Sequence, residues 1–233
     1  MARLIAALVR HGDYHQLPDT PSAHQPYPLN REGETQAHEA AQLLHEMIVQ
    51  NNWALVPAID SSRMLRAWQT AMIFADRLAG LGPSPLRIES YDALAERSVG
   101  CLANLTRAEI EAVLHRDPRV SAPPADWKAD SHYRLPLQGA ESLLDAGERV
   151  ADHLAESMAA LPPAGHDRLK VFVGHGAAFR HAACHLGVLE LGQVRQLSMH
   201  HCIPLLLENL PGGNWHHTGG DSKDRPEHSG YTD

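Results

Sequence analysis

Two short apolar runs, Leu4 to Val9 and Val171 to Val173, each break off into a histidine next to glycine: Arg10-His11-Gly12 and Gly174-His175-Gly176. An apolar, β-prone run of this length reads as a buried strand, and open α/β sheets keep their ligands beyond the carboxyl ends of such strands. The chain is therefore constrained to a fold that carries imidazoles to a sheet edge. A neutral imidazole there can be a nucleophile, because a backbone carbonyl on one ring nitrogen leaves the other free to attack. Arg10 beside it suggests an anionic electrophile, and Gly12 is expected to let the backbone turn. With 17 His and 17 Gly in the chain, a lone Arg-His-Gly is equally the end of a surface strand. The second run is what makes the pattern specific.

At 233 residues the chain fits one α/β domain and is long enough to bury about 70% of its unfolded surface. Its net charge of -8 argues against nucleic-acid or acidic-membrane partners, which select basic stripes. Lysine is confined to Lys128, Lys170 and Lys223, so arginine supplies nearly all positive charge, which suits bidentate contacts to phosphate or carboxylate. Cys101, Cys184 and Cys202 are widely spaced and odd in number, which fits a reducing compartment without a disulfide framework. The run up to Val9 is too short for a signal peptide, and none approaches the ~18 apolar residues of a membrane span. A cytoplasmic location is expected.

Asp13 to Leu29, with Pro18, Pro21, Pro26 and Pro28, reads as a loop at the mouth of a site. A helix is expected from an Asn30 cap to about Gln50. A strand over Val56 to Ile59 then leads through Ser61 and Ser62 into a Ser-capped helix reaching about Leu81. Arg63 and Arg66 at its start are equal candidates for an anion contact on residue type alone, and either suits a solvated helix face. Leu86 to Ser90 is a further strand, leading to Glu96 and Arg97. Bare Glu-Arg reads as a surface salt bridge, or as a general acid if burial raises the carboxyl pKa. Thr106 to Glu109 spells a capping box for a helix to about Arg116. Residues 117–138 are irregular and expected to cap the cleft. A long helix follows to about Ala160, then the strand at 169–173, a helix over 177–186 and a last strand at 203–208. From Pro211 onward the composition predicts a flexible tail. His200-His201 and His216-His217 do not have metal-ligand spacing, since adjacent side chains point apart.

Four blocks in this order resemble the histidine phosphatase (phosphoglycerate mutase-like) superfamily over roughly residues 4 to 208. They are Arg10-His11-Gly12; Leu29-Asn30-x-x-Gly33-x-x-Gln36-Ala37 with Ser62-x-x-x-Arg66-Ala67-x-x-Thr70-Ala71; Leu94-x-Glu96-Arg97-x-x-Gly100-x-Leu102; and Gly174-His175-Gly176. Asn30 stands where the family has Thr, Asn104 where a glycine is common, and Gly139-Ala140-Glu141-Ser142 carries one residue more than the family's Gly-Glu-Ser. The resemblance implies a three-layer α/β/α sandwich with a mostly parallel central sheet and a small cap. It implies a catalytic domain over 1–210, His11 as nucleophile, Glu96 as proton donor and His175 as the second catalytic histidine. Arg10, Arg66, Gly176 and Arg97 would bind phosphate or substrate, with neither metal nor cofactor.

Within that resemblance, the Glu96 block and Ile203-Pro204-Leu205 look like the mutase branch. Tyr14 and Leu17 stand where mutases have Ser and Asn, and the mutase Arg-Arg-Ser block is absent. Phosphomonoester hydrolysis through a phosphohistidine is therefore the expected activity. A cofactor-dependent mutase is the alternative, and a non-catalytic phosphate-binding scaffold a third reading. The expected partner is a small phosphorylated substrate, with a phosphoprotein substrate and a homodimer left open.

Overall fold

The computed structural model describes residues 2–82 and 84–224. Strand β1 (Leu4–Arg10) is followed by helix α1 (Arg31–Asn51), β2 (Ala54–Ser62), α2 (Leu65–Arg77) and β3 (Arg87–Tyr91). Then come α3 (Arg107–Arg116), α4 (Leu143–Ala159), β4 (Arg168–Gly174), α5 (Gly176–His185), the short α6 (Leu191–Val194), β5 (Leu197–Met199), β6 (Leu205–Asn209), β7 (Trp215–Gly219) and β8 (Ser222–Asp224). The main sheet has the order β3-β2-β4-β1-β6-β7. Its first four strands run parallel, and β6 and β7 are antiparallel to their neighbours.

Alternate residues of the strands feed two cores, because successive side chains point to opposite faces. Ile5, Ala7, Val9, Val171 and Val173 pack with Ala37, Leu44 and Phe74 of α1 and α2 on one face. Ala6, Leu8 and Phe172 pack with Val150, Leu154 and Phe179 of α4 and α5 on the other. The result is the expected α/β/α sandwich. Strands β1 and β4 are adjacent, with Arg10 paired to Gly174, so His11 and His175 leave the same edge side by side. β2 joins them there despite Pro57, which lacks an N–H and sits where its pairing with β4 shifts register.

A third cluster, built on Val99, Leu102, Ile110, Leu114, Trp127 and Leu135, holds residues 117–138 against α3. Thr106 and Ser142 both close capping boxes, with Glu109 and Asp145. Asn104 adopts a left-handed φ of 66°, a conformation that favours glycine and that Asn tolerates, which explains why the two exchange at this position. Helix α2 departs from its expected serine cap: its N-cap is Met64, with no side-chain cap bond, because Ser62 is the last residue of β2, two positions before that cap.

The tail expected over 211–233 contains two strands in its described part. β7 pairs with β6, anchored by the buried Trp215, and β8 pairs with β5. Backbone ladders need no apolar side chains, so Gly- and His-rich composition concealed them. Residues 225–233 of that expectation lie outside the described residues. Among the described residues no helix is long and apolar enough to cross a membrane.

Candidate active site

His11 follows the last residue of β1 and is 4% exposed. Its backbone N–H donates to the Gly174 carbonyl at 3.0 Å, tying the two strand ends together. Nδ1 lies 2.8 Å from the Gly12 carbonyl, and Arg66 Nε donates to Nε2 at 3.2 Å. A carbonyl can only accept and a guanidinium only donate, so the proton sits on Nδ1 and Nε2 holds the lone pair. Burial, then the charges of Arg66 and Arg10, push the His11 pKa well below 6.5.

Arg66 is fully buried at the start of α2. Nη1 donates to the Gln25 carbonyl at 2.8 Å and Nη2 to the Ser22 carbonyl at 3.0 Å. Nη2 also lies 3.3 Å from His175 Nδ1. Its plane lies over the Tyr14 ring, 4.5 Å from the centroid. Arg63, the other candidate, is exposed and pairs with exposed Asp92 at 3.4 Å, so the structure separates two residues that sequence alone left equal.

His175 caps α5 from the end of β4 and is 1% exposed. With Nδ1 accepting from Arg66, its proton is on Nε2, 2.9 Å from Ser62 Oγ. Burial, reinforced by Arg66, Arg10 and Arg149, drives its pKa well below 6.5. The ring is therefore neutral, with Nδ1 accepting from Arg66.

Arg10 donates through Nη1 to the Met199 carbonyl at 2.9 Å. A Cβ on Gly176 would sit 3.1 Å from Arg10 Cδ, so the glycine leaves room for that side chain. Glu96 is 8% exposed and accepts from the Arg97 N–H at 2.9 Å and the Ala177 N–H at 3.2 Å. Arg10, His11, Tyr14, Gln16, Ser22, Glu96 and Gly176 line one small pocket. Arg66 and His175 stand behind it against the His11 ring. Arg97, expected to bind phosphate or substrate, lines an adjoining pocket that shares Ser22 and Glu96 with this one.

The motif spacings now have physical causes. Gly12 has no left-handed φ, so the turn expected of it is not its reason. A Cβ on Gly12 would meet the Gly33 carbonyl oxygen at 2.5 Å, and one on Gly33 the Asp13 carbonyl oxygen at 1.9 Å. Asn30 caps α1 through the Gly33 N–H and donates from its side chain to Asp13 Oδ2 at 2.7 Å. Gln36 Oε1 accepts the Asp13 N–H at 3.0 Å. Asn30, Gly33 and Gln36 thus lock the backbone just past His11. Thr70 Oγ1 does the same from α2, accepting the Gly12 N–H at 3.1 Å.

Sequence reasoning missed several supports. Ser22 and Gln25 act through carbonyls, which no side-chain pattern reports. His201 Nδ1 lies 2.7 Å from the His11 carbonyl. Glu141 accepts the Ser98 N–H at 3.0 Å and pairs with Arg149 at 2.9 Å, while Arg149 Nη1 donates to the Ala93 carbonyl at 2.8 Å. That pair braces the loop carrying Glu96, and it fixes the register of the Gly139-Ala140-Glu141-Ser142 block. Among the described residues no group of three or more His, Cys, Asp or Glu is gathered to hold a metal.

The family model of the histidine phosphatase superfamily, branch 1, matches residues 6–216. The chain belongs to the histidine phosphatase superfamily. Among curated proteins none matches the sequence significantly. Solved structures share the fold of this histidine phosphatase. "Mycobacterial hydrolase 1" is 23% identical with a TM-score of 0.69, the match covering 94% of this chain and 97% of that one. A mycobacterial glucosyl-3-phosphoglycerate phosphatase is 24% identical with a TM-score of 0.66, covering 94% and 97%. Bacillus stearothermophilus YhfR is 20% identical with a TM-score of 0.63, covering 92% and 95%.

Proposed function

We propose that this protein is a phosphomonoester hydrolase working through a phosphohistidine on His11, with its positive charge supplied by arginine rather than a metal. The observation that carries the reading is the His11 ring itself: Nδ1 is held by the Gly12 carbonyl while Nε2 presents its lone pair to a guanidinium. A substrate phosphoryl group would take over the Arg66 N–H now resting on Nε2, and Arg10 would supply further charge from the pocket wall. Phosphoryl transfer is mostly positioning and charge stabilisation, which this arrangement suits.

In the first step Nε2 forms the N–P bond as the ester P–O bond breaks. Glu96, in its acid form, gives the departing oxygen its proton, and the product alcohol leaves. In the second step the Glu96 carboxylate takes a proton from water, whose oxygen attacks phosphorus. The N–P bond breaks, and inorganic phosphate and neutral His11 are restored. His175 would turn from accepting to donating as the phosphate's negative charge favours its protonated form.

The test is hydrolysis of phenyl phosphate with EDTA present, comparing native protein with His11→Ala. Activity that survives EDTA and is lost in the variant is expected. Activity retained by His11→Ala would contradict the reading.

A further inference from the structure

Next to the pocket that holds His11 lies a second one, which shares Ser22 and Glu96 with it, so the two meet at the residue proposed above to protonate the leaving group. Arg97, Lys128, Arg180 and Arg195 all line this pocket, and among the described residues Glu96 is its one acid. Arg97 is 6% exposed; its Nη2 donates to the Lys128 carbonyl at 3.3 Å and its plane faces Trp127, but the buried Nη1 has no hydrogen-bond partner. Arg180, also buried, donates to the Ser198 hydroxyl at 3.2 Å. Arg195 meets Asp130 only at 3.7 Å.

A buried guanidinium with an unmet donor is costly unless an anion completes it. In a chain of net charge -8, four cations around one small pocket are a local exception. Leu143, Val194 and Pro21 supply the apolar part of the wall, which suits a short carbon skeleton.

Resting on the hydrolase reading above, we propose that the preferred substrate carries a second anionic group, carboxylate or phosphate, on its leaving-group side, bound by Arg97, Lys128, Arg180 and Arg195. An ester with an uncharged leaving group fills the catalytic pocket but leaves Arg97 Nη1 unpaired. A carboxylate or phosphate accepts from it and from its cationic neighbours, where charge-assisted bonds are strongest.

The test separates this from catalysis by using ligands that cannot be hydrolysed. Calorimetry on the native protein compares alkylphosphonates of two to four methylenes with the same chains ending in carboxylate, and with the corresponding bisphosphonates. At least fivefold tighter binding is expected for one of the two series that carry a second acidic group, and the tighter of the two identifies that group. That advantage should fall below twofold in Lys128→Gln/Arg195→Gln, whose two sites are partly exposed and tolerate change. An advantage under fivefold in the native protein, or one undiminished in the double variant, overturns the proposal. The hydrolase reading stands or falls separately, on phenyl phosphate and His11→Ala.

Discussion

Arg66 Nε donates a hydrogen bond to His11 Nε2 at 3.2 Å, so the atom we propose as the nucleophile is held by the cation we propose to bind phosphate. One guanidinium thereby orients the His11 ring, fixes its tautomer and ties down the Ser22 and Gln25 carbonyls of the mouth loop. Removing it should do more than remove a charge. Arg66→Ala is expected to lower kcat/KM for phenyl phosphate roughly ten- to a hundredfold. Arg66→Lys should recover only part of the loss, since a compact ammonium with three donors cannot span the four acceptors the planar guanidinium reaches. Steady-state kinetics on both variants check this.

His11 should be neutral throughout the physiological range. Burial and the surrounding arginines disfavour its imidazolium, so its pKa lies well below 6.5 and the nucleophilic form persists as pH falls through that value. The ring C–H resonance that disappears in His11→Ala should show no titration between pH 6 and 8. His175, depressed for the same reason, adds to a stability effect. Below pH 6.5 the unfolded chain binds these protons and the folded one resists them, so stability falls as pH drops. Urea midpoints at pH 7 and pH 5.5 measure the difference.

Glu96→Gln should discriminate between leaving groups. An alkoxide needs a proton to depart and a nitrophenolate barely does, so the loss is expected to be roughly a hundredfold for glycerol phosphate and much smaller for 4-nitrophenyl phosphate. Glu141→Gln, which weakens the brace on the Ser98 N–H and Arg149, should show the same ranking at lower amplitude. Equal losses on both substrates would remove Glu96 from the role of acid.

Gly33→Ala places a methyl group 1.9 Å from the Asp13 carbonyl oxygen. Backbone cannot yield as a side-chain tip can, so the substitution should cost about 1–3 kcal/mol by denaturant unfolding. It should also lower kcat, because the displaced segment adjoins His11.

The sandwich and the catalytic strands were legible because apolar runs and caps act locally. Asn30, Thr106 and Ser142 are N-caps that bond within their own first turn. Whatever acts through backbone was not legible. The carbonyls holding Arg66 come from residues of no distinctive type, and β7 and β8 pair by main-chain bonds in a stretch composed like a tail. Arg97 shows a further limit. The resemblance grouped it with Glu96, but only packing shows that its side chain lies over Trp127, in a pocket beside the one that holds His11. Arg180 and Arg195 come from separate elements with no motif to join them, and only packing brings them to one pocket.

The central claim is that a covalent bond forms between His11 and phosphorus. Rapid acid-free quench of the native protein with phenyl [32P]phosphate, followed by peptide mapping, tests it directly. Label that is acid-labile, alkali-stable and confined to the peptide carrying His11, appearing and decaying fast enough to lie on the turnover path, is the predicted result. Turnover with no label on that peptide, or label on another residue, would contradict the account.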